Sequence, residues 1–391
     1  MKLLVSSHSL LISVVKALVG KFDVLALDRN MNQTLVNLDI ESKALGDFAA
    51  PSMPAIAFTE AAKVLNSSFS PMSFNGLGPG PSKFLEEGLQ GFLYPRLADL
   101  ALLVLSLDKA EPDLVVLHND VENLTRTVAL WCQKRGVPCL HVPHAVYQNV
   151  NRGAVGTDIH DIITASHLAA SGTYQRKWYE DRGQENIRET GLPQFDAWAV
   201  MEPDKKRALR LLHLDSDRPV ITFMGTWRQN TNLLGHSDEW AMLYINFLKA
   251  IKMFGDEVQL IVKIHPNGGD QSAKFHASNA EQVGVNCVIA AQHLEVALQA
   301  SDVVFAPYGS NSLIEAAYIP YTRLATFEHH GYFDDKEVMK SGFSEKEIAE
   351  TLEESLSVEP ADTKAFISKY AGIADGKAHL RVAGYAEELV M

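Results

Sequence analysis

A chain of 391 residues exceeds one ordinary core, and at about 100 to 200 residues per domain it predicts two domains. Its 47% hydrophobic and 21% charged residues are the make-up of a soluble globular protein, which excludes a disordered, fibrous or multi-span membrane chain. A formal charge of −13 argues against a surface that coats nucleic acid, and Cys132, Cys139 and Cys287, with no CxxC spacing, imply neither a disulfide framework nor a zinc site.

The first twenty residues, MKLLVSSHSLLISVVKALVG, place a lysine ahead of an apolar stretch, as a signal peptide does. Ser6, Ser7, His8 and Ser9 interrupt that stretch, Lys16 sits inside it, and a second strand at 22–27 follows one helix. The pattern is strand, loop, helix, strand, the start of an α/β domain, and a reducing cytoplasm is the expected compartment. Further apolar runs at 114–117, 139–142 and 161–165 keep the rhythm of parallel strands with crossover helices. Between residues 51 and 81 the chain turns to Pro, Gly, Ser and Phe, which predicts an irregular surface excursion near the acceptor side.

A charged helix at 204–212 then leads to a strand at 219–224, and strands at 258–264, 286–289, 303–306 and 323–325 form a second sheet. The boundary falls within 190–203, giving domains 1–195 and 196–391. Residues 364–391 read as helix with a break at 372–376, a candidate to cross back to the first domain. The expected architecture is α/β, two doubly wound Rossmann-like domains facing each other across a cleft.

Three polar segments follow buried strands of the second domain: MGTWRQN, KIHPNGG and YGSNSLIEAA. Loops at the carboxyl ends of parallel strands converge on one crevice, so these three are expected to build one site. In Lys263-Ile264-His265-Pro266 the proline holds the chain extended, and the imidazole either donates to a phosphate oxygen or bonds a neighbouring carbonyl. Ser310, Asn311 and Ser312 open a helix, where an anion or an N-cap is served, and Glu315 either accepts from sugar hydroxyls or completes the cap. Gly225 and Thr226 are candidates to cradle phosphate, and Arg228 offers a forked cation to it or forms a surface ion pair. In the first domain, LVVLHNDVEN places His118, Asp120 and Glu122 after one strand and CLHVPHAVYQN places His141 and His144 after another. Each is a structural turn residue or a proton acceptor for a hydroxyl, with Asp120 the expected base. Neither GxGxxG after the first strand, nor GxxxxGK[ST], nor HExxH occurs, so a standard dinucleotide, Walker or zinc site is not expected.

The ordered set TWR, KIHP and YGSNSLIEAA, preceded by VPHA at His144 and by TGLPQFD at 190–196, resembles the GT-B superfamily of nucleotide-sugar enzymes. More narrowly it is similar to bacterial surface-polysaccharide transferases with cytidine-activated donors: CDP-glycerol glycerophosphotransferases, polysialyltransferases and Kdo transferases. The resemblance implies that His265, Pro266, Ser310 and Ser312 hold the donor nucleotide. It covers about residues 140–325. The chain departs from the glycerophosphotransferases in having His144-Ala145 for their His-Gly pair with its following lysine, and in separating its serines by Asn311.

The expectation is a glycosyltransferase that moves a sugar from a nucleotide-activated donor, a CMP-sugar by preference, to a glycan, lipid-linked saccharide or other hydroxyl acceptor. No cofactor or metal is expected beyond the donor, no nucleic acid partner and no transmembrane segment, with peripheral contact at the inner face of the membrane compatible. Asp120, His144 and Glu122 would be catalytic; Gly225, Thr226, Arg228, Lys263, His265, Pro266, Ser310, Asn311, Ser312 and Glu315 would bind donor. The alternatives are a CDP-polyol phosphotransferase of the same fold, an enzyme of the UDP-sugar 2-epimerase type, and a non-catalytic binding subunit.

Overall fold

The computed structural model describes residues 1–69, 79–120, 122–146, 164–225, 236–265, 269–306, 310–327, 333 and 335–391. Within them the strands gather into two sheets whose pairings are all parallel. The first contains β1 (Lys2–Val5), β2 (Asp23–Ala26), β3 (Ser42–Ala44), β4 (Leu114–Leu117), β5 (Cys139–His141), β6 (His167–Ala170) and β7 (Ile187–Glu189), in the order β3-β2-β1-β4-β5-β6-β7. The second contains β8 (Val220–Met224), β9 (Gln259–Lys263), β10 (Cys287–Ala290), β11 (Val303–Ala306), β12 (Arg323–Phe327) and β13 (Met339–Gly342), in the order β10-β9-β8-β11-β12-β13.

Alternation along β1 and β4 shows why these runs are strands. Leu3 and Val5, with Leu114 and Val116, face a core shared with the helices Leu11–Leu18 and Ala378–Glu388. Leu4, with Val115 and Leu117, faces the opposite core, shared with the helices Pro79–Ala110 and Asn123–Arg135. Burial on both faces makes each strand apolar throughout and leaves chemistry to the loops at its ends.

In each sheet the chain steps outward over three strands and then returns to the other side of the first. The order reverses between β1 and β4 in one domain and between β8 and β11 in the other. Loops leaving the carboxyl ends of the two strands at such a reversal part in opposite directions and open a crevice. Val5 and Leu117 in the first sheet, and Met224 and Ala306 in the second, are the strand ends that flank these reversals.

The first sheet ends at Glu189 and the second begins at Val220. The last two helices return to the first domain: Lys364–Ala371 packs against Thr173–Glu180, and Ala378–Glu388 buries Val382, Ala383, Tyr385 and Ala386 in the core of the first sheet. Asp196, in the connection, accepts hydrogen bonds from the Ala378 and His379 backbone N–H groups at 2.8 and 2.9 Å and from the His379 ring at 2.7 Å, so it caps that helix from a distant part of the chain.

Two expectations are corrected. The strand expected at 161–165 is β6 at His167–Ala170; residues 161–163 lie outside the described part. The expected excursion at 51–81 is instead helix at Met53–Phe69 and from Pro79 onward, residues 70–78 lying outside the described part. Pro54, Pro79 and Pro81 all stand in first turns, where a missing N–H costs nothing because no carbonyl would have received it.

Candidate active site

Three imidazoles meet at the reversal point of the first sheet. His8 follows β1, His118 follows β4 and His144 follows β5; their ring centroids are 4.9 Å apart for His8–His118, 5.3 Å for His8–His144 and 5.7 Å for His118–His144. The hydrogen bonds fix each neutral ring. Asn119 Oδ1 accepts from the Thr125 hydroxyl at 2.7 Å, which turns its amide nitrogen toward His118 Nε2 at 2.8 Å. An amide N–H only donates, so Nε2 carries the lone pair and Nδ1–H donates to Ser6 Oγ at 2.8 Å. Both His118 nitrogens are thereby engaged, and burial together with the neighbouring imidazoles pushes its pKa down to about 3. His118 is a neutral, fixed ring that orients its neighbours.

His144 differs. Its Nδ1 lies 3.4 Å from the His118 carbonyl, which cannot donate, so Nδ1 holds the proton and Nε2 the lone pair. His8 is the converse: Nδ1 accepts from the Leu10 N–H at 3.3 Å, leaving a proton on Nε2, and burial lowers its pKa. The pair thus presents one proton acceptor and one donor. His8 was passed over as a site residue because the sequence reading used it only to break up a signal peptide. Its position just beyond the first strand was the available signal.

Asp120, the expected base, is 1% exposed, and its Oδ2 accepts the backbone N–H groups of Thr164 and Ala165 while Oδ1 lies 3.7 Å from His141 Nδ1. A carboxylate so committed fastens the chain entering β6 and is poorly placed to reach a substrate. His141 is buried beside it. Glu122 is exposed at the N-cap of Asn123–Arg135, and its carboxylate makes no hydrogen bond among the described residues. Of the three residues expected to be catalytic, His144 alone stands among the clustered imidazoles.

In the second domain, Gly225 ends β8 with its N–H donated to Lys263 O at 2.7 Å; a Cβ there would meet that oxygen at 3.1 Å and the His276 ring at 3.3 Å. The glycine serves strand approach, and its N–H is spent on the sheet. Lys263 is 4% exposed, with Nζ donating to Ile264 O at 2.8 Å and Ala291 O at 3.3 Å, so it ties two strand ends together. Burial lowers its pKa, with Glu295 and Glu315 opposing. His265 is half-buried, and its pKa is lowered by burial and by Lys263. Thr226, Arg228 and Pro266 lie outside the described residues.

Ser310 caps the helix Asn311–Ala317, its hydroxyl accepting the Ser312 N–H at 3.3 Å. Glu315 accepts side-chain hydrogen bonds from Ser312 and from Trp198 of the connecting segment, and burial pushes its carboxyl up to about 7, with Lys263 pulling the other way. Glu315 is half-buried as a residue, the carboxyl being the enclosed end. The strand order places the ends of β9 and β11 on either side of β8, so the strands that precede His265 and Ser310 end at the same side of the sheet two strand spacings apart, about 10 Å.

Asn311 joins the two halves. Its side-chain oxygen accepts the Val146 N–H at 3.2 Å and its amide donates to His144 O at 3.3 Å. The start of the serine helix is thus fastened directly to the backbone that carries the His144 ring. Among the described residues no three His, Cys, Asp or Glu side chains are placed to hold a metal ion, and no helix is long and apolar enough to cross a membrane.

Comparison with known proteins bears on the fold and on one segment of the chain. Residues 145–311 match the family model described as CDP-glycerol:poly(glycerophosphate) glycerophosphotransferase. No curated protein matches the chain. Among solved structures, the UDP-GlcNAc 2-epimerase of Methanocaldococcus jannaschii, in complex with UDP-GlcNAc and UDP, superposes with a TM-score of 0.60 at 15% identity, covering 98% of this chain and 100% of that one. A glycosyltransferase from Rickettsia africae gives 0.54 at 11% identity, over 99% and 98% of the chains. The wall teichoic acid polymerase TagF gives 0.52 at 12% identity, over 100% of this chain and 88% of that one. At such identities the likeness is one of fold. The architecture is GT-B, and the segment that matches the glycerophosphotransferase model is the one that runs from the His144 loop to Asn311.

Proposed function

We propose that this chain is a transferase that takes a cytidine-activated donor in its second domain and passes the activated group to a hydroxyl acceptor in its first. The observation that carries the reading is the Asn311 clasp, which ties the backbone of the His144 loop to the start of the serine helix. His144 Nε2 takes the proton of the acceptor hydroxyl as its oxygen attacks; the bond from the transferred group to CMP breaks, and CMP leaves with the bonding pair. Positioning two reactants supplies most of such a rate, and a placed base adds about 10² to 10⁴. His265, Ser310 and Ser312 are assigned to the donor phosphates, and Glu315, its enclosed carboxyl bonded by Ser312 and Trp198, is assigned to holding Ser312 in place.

The family match over 145–311 favours a polyol phosphate as the transferred group, attacked at phosphorus. A sugar transferred from a CMP-sugar is the second reading, favoured by Ala145 and by the absence of a lysine close behind His144. Both release CMP and differ in the mass the acceptor gains. The experiment is a donor panel with CDP-glycerol, CMP-sugars and UDP-GlcNAc, with and without candidate acceptors. Acceptor-dependent CMP release supports transfer. Conversion of UDP-GlcNAc without an acceptor would support epimerisation instead, and no nucleotide binding at all would leave a non-catalytic subunit. Asn311→Leu should lower kcat at least tenfold while CMP still raises the thermal midpoint, because the clasp orients the base and leaves the donor loops in place. Unchanged kcat in that variant removes the central argument.

A further inference from the structure

A groove of about 430 Å³ opens beside the imidazole cluster, between the first turns of Leu11–Leu18 and the Pro193–Gln194 turn. We infer that this groove is the acceptor's seat and that it holds a hydroxyl-bearing acceptor through an anionic group, at Lys16. The inference rests on the proposed transfer reaction and deepens its acceptor side.

Four observations support it. The groove includes His8, which is 5.3 Å from His144 between ring centroids, so a ligand lying in it has one end at the proton-transfer pair. Its volume is that of a small-molecule site, which typically spans about 300 to 1,000 Å³. Its polar lining is rich in donors: the Lys16 ammonium, the Ser9 hydroxyl, the Gln194 amide and the Nε2–H that the Leu10 contact leaves on His8. Among the described residues no carboxylate lines it and Lys16 makes no ion pair, whereas nearby Lys21 is paired with Glu387. In a chain of net charge −13 the overall field repels anions, so an anionic ligand needs a local cation of this kind. Pro193 and Gln194 belong to the connection between the two sheets, so the groove lies beside that connection.

The test is NMR of the protein labelled at histidine ring carbons, with the His8 signal assigned from His8→Asn. Glycerol 3-phosphate, glycerol and inorganic phosphate are the probes, each titrated into the full chain. The expected result is a saturable His8 shift with glycerol 3-phosphate, at least tenfold weaker binding in Lys16→Gln, and at least tenfold weaker binding of glycerol. Absence of a saturable His8 shift, or equal affinity in Lys16→Gln, overturns the proposal. Inorganic phosphate binding as tightly as glycerol 3-phosphate overturns the acceptor assignment, since a bare anion would then account for the site. Lys16 is exposed, so Lys16→Gln should keep the wild-type thermal midpoint. The donor reading fails separately: CDP should raise the midpoint in wild type and Lys16→Gln alike and less in His265→Ala, and a missing CDP response sinks that reading without touching the His8 titration.

Discussion

Glu315 shows how one residue carries both structure and chemistry. Its carboxyl keeps a proton up to about pH 7 in the folded chain, against a reference value of 4.5. Between those values the folded chain binds more protons than the unfolded one, so this group makes stability fall as pH rises through the window, and the loss is complete above it. Glutamine cannot ionise. The thermal midpoint of Glu315→Gln minus that of wild type should therefore grow from about pH 5 to about pH 8, and a difference that stays flat refutes the assignment. An anion at the adjacent serines favours the protonated form, so bound nucleotide should move this window upward. Asp120 is the contrasting case: a carboxylate at a strand end reads as a base, yet its oxygens are taken by the Thr164 and Ala165 N–H groups and approached by His141. Residue type and place were legible there. What occupies the carboxylate was not, because its partners lie over forty residues further along the chain.

At the scale of elements, most strands with an apolar run were legible, the edge strand β10 (Cys-Val-Ile-Ala) among them, and the other three edge strands were not. β3 reads Ser-Lys-Ala and β7 Ile-Arg-Glu, each short and partly exposed, so neither produces a hydrophobic run; β13, also at a sheet edge, reads Met-Lys-Ser-Gly. The histidine and serine motifs were found because parallel strands deliver their loops to one edge. The Asn311 clasp was not, since it depends on how the domains meet. Glycine is decisive where elements touch backbone to backbone. Gly372 follows the helix Lys364–Ala371 at φ +83°, and a Cβ on it would lie 2.6 Å from Ser171 O and 3.1 Å from Gly191 Cα. Both the conformation and the space exclude a side chain, at about 1 to 3 kcal/mol for the backbone alone. Gly372→Ala should lower the thermal midpoint by several degrees. Gly88→Ala is the control: it sits within Pro79–Ala110 with nothing within 4 Å of its Cβ position, and should leave the midpoint equal or higher. Equal losses in both would show that the contact at Gly372 carries no stability.

For the whole molecule, order along the chain and order in space part company at the C-terminus. The helix Ala378–Glu388 follows the second domain in sequence, yet Val382 and Tyr385 are 0% and 6% exposed within the core of the first. Each such side chain is worth about 1.5 to 3 kcal/mol when buried, and a whole domain is stable by only about 5 to 15 kcal/mol. Removing the helix would also leave the apolar face of Leu11–Leu18, with Leu11, Val14, Val15 and Leu18 all at 0–1% exposure in the intact chain, open to water. The first domain should therefore need this helix to fold. The geometry offers a direct test, since a Cβ at Gly376 would lie 2.5 Å from Val200 Cγ1, so the chain leaves the first domain and returns to it at one point. A protein that joins residues 1–200 directly to residues 376–391 omits the second domain without stretching the backbone. It should unfold in one cooperative transition, whereas residues 1–200 alone should bind a hydrophobic dye and melt without one. If residues 1–200 alone unfold as sharply as the joined chain, the returning helix is an accessory to the first domain and the two lobes are separable at the 190–203 connection.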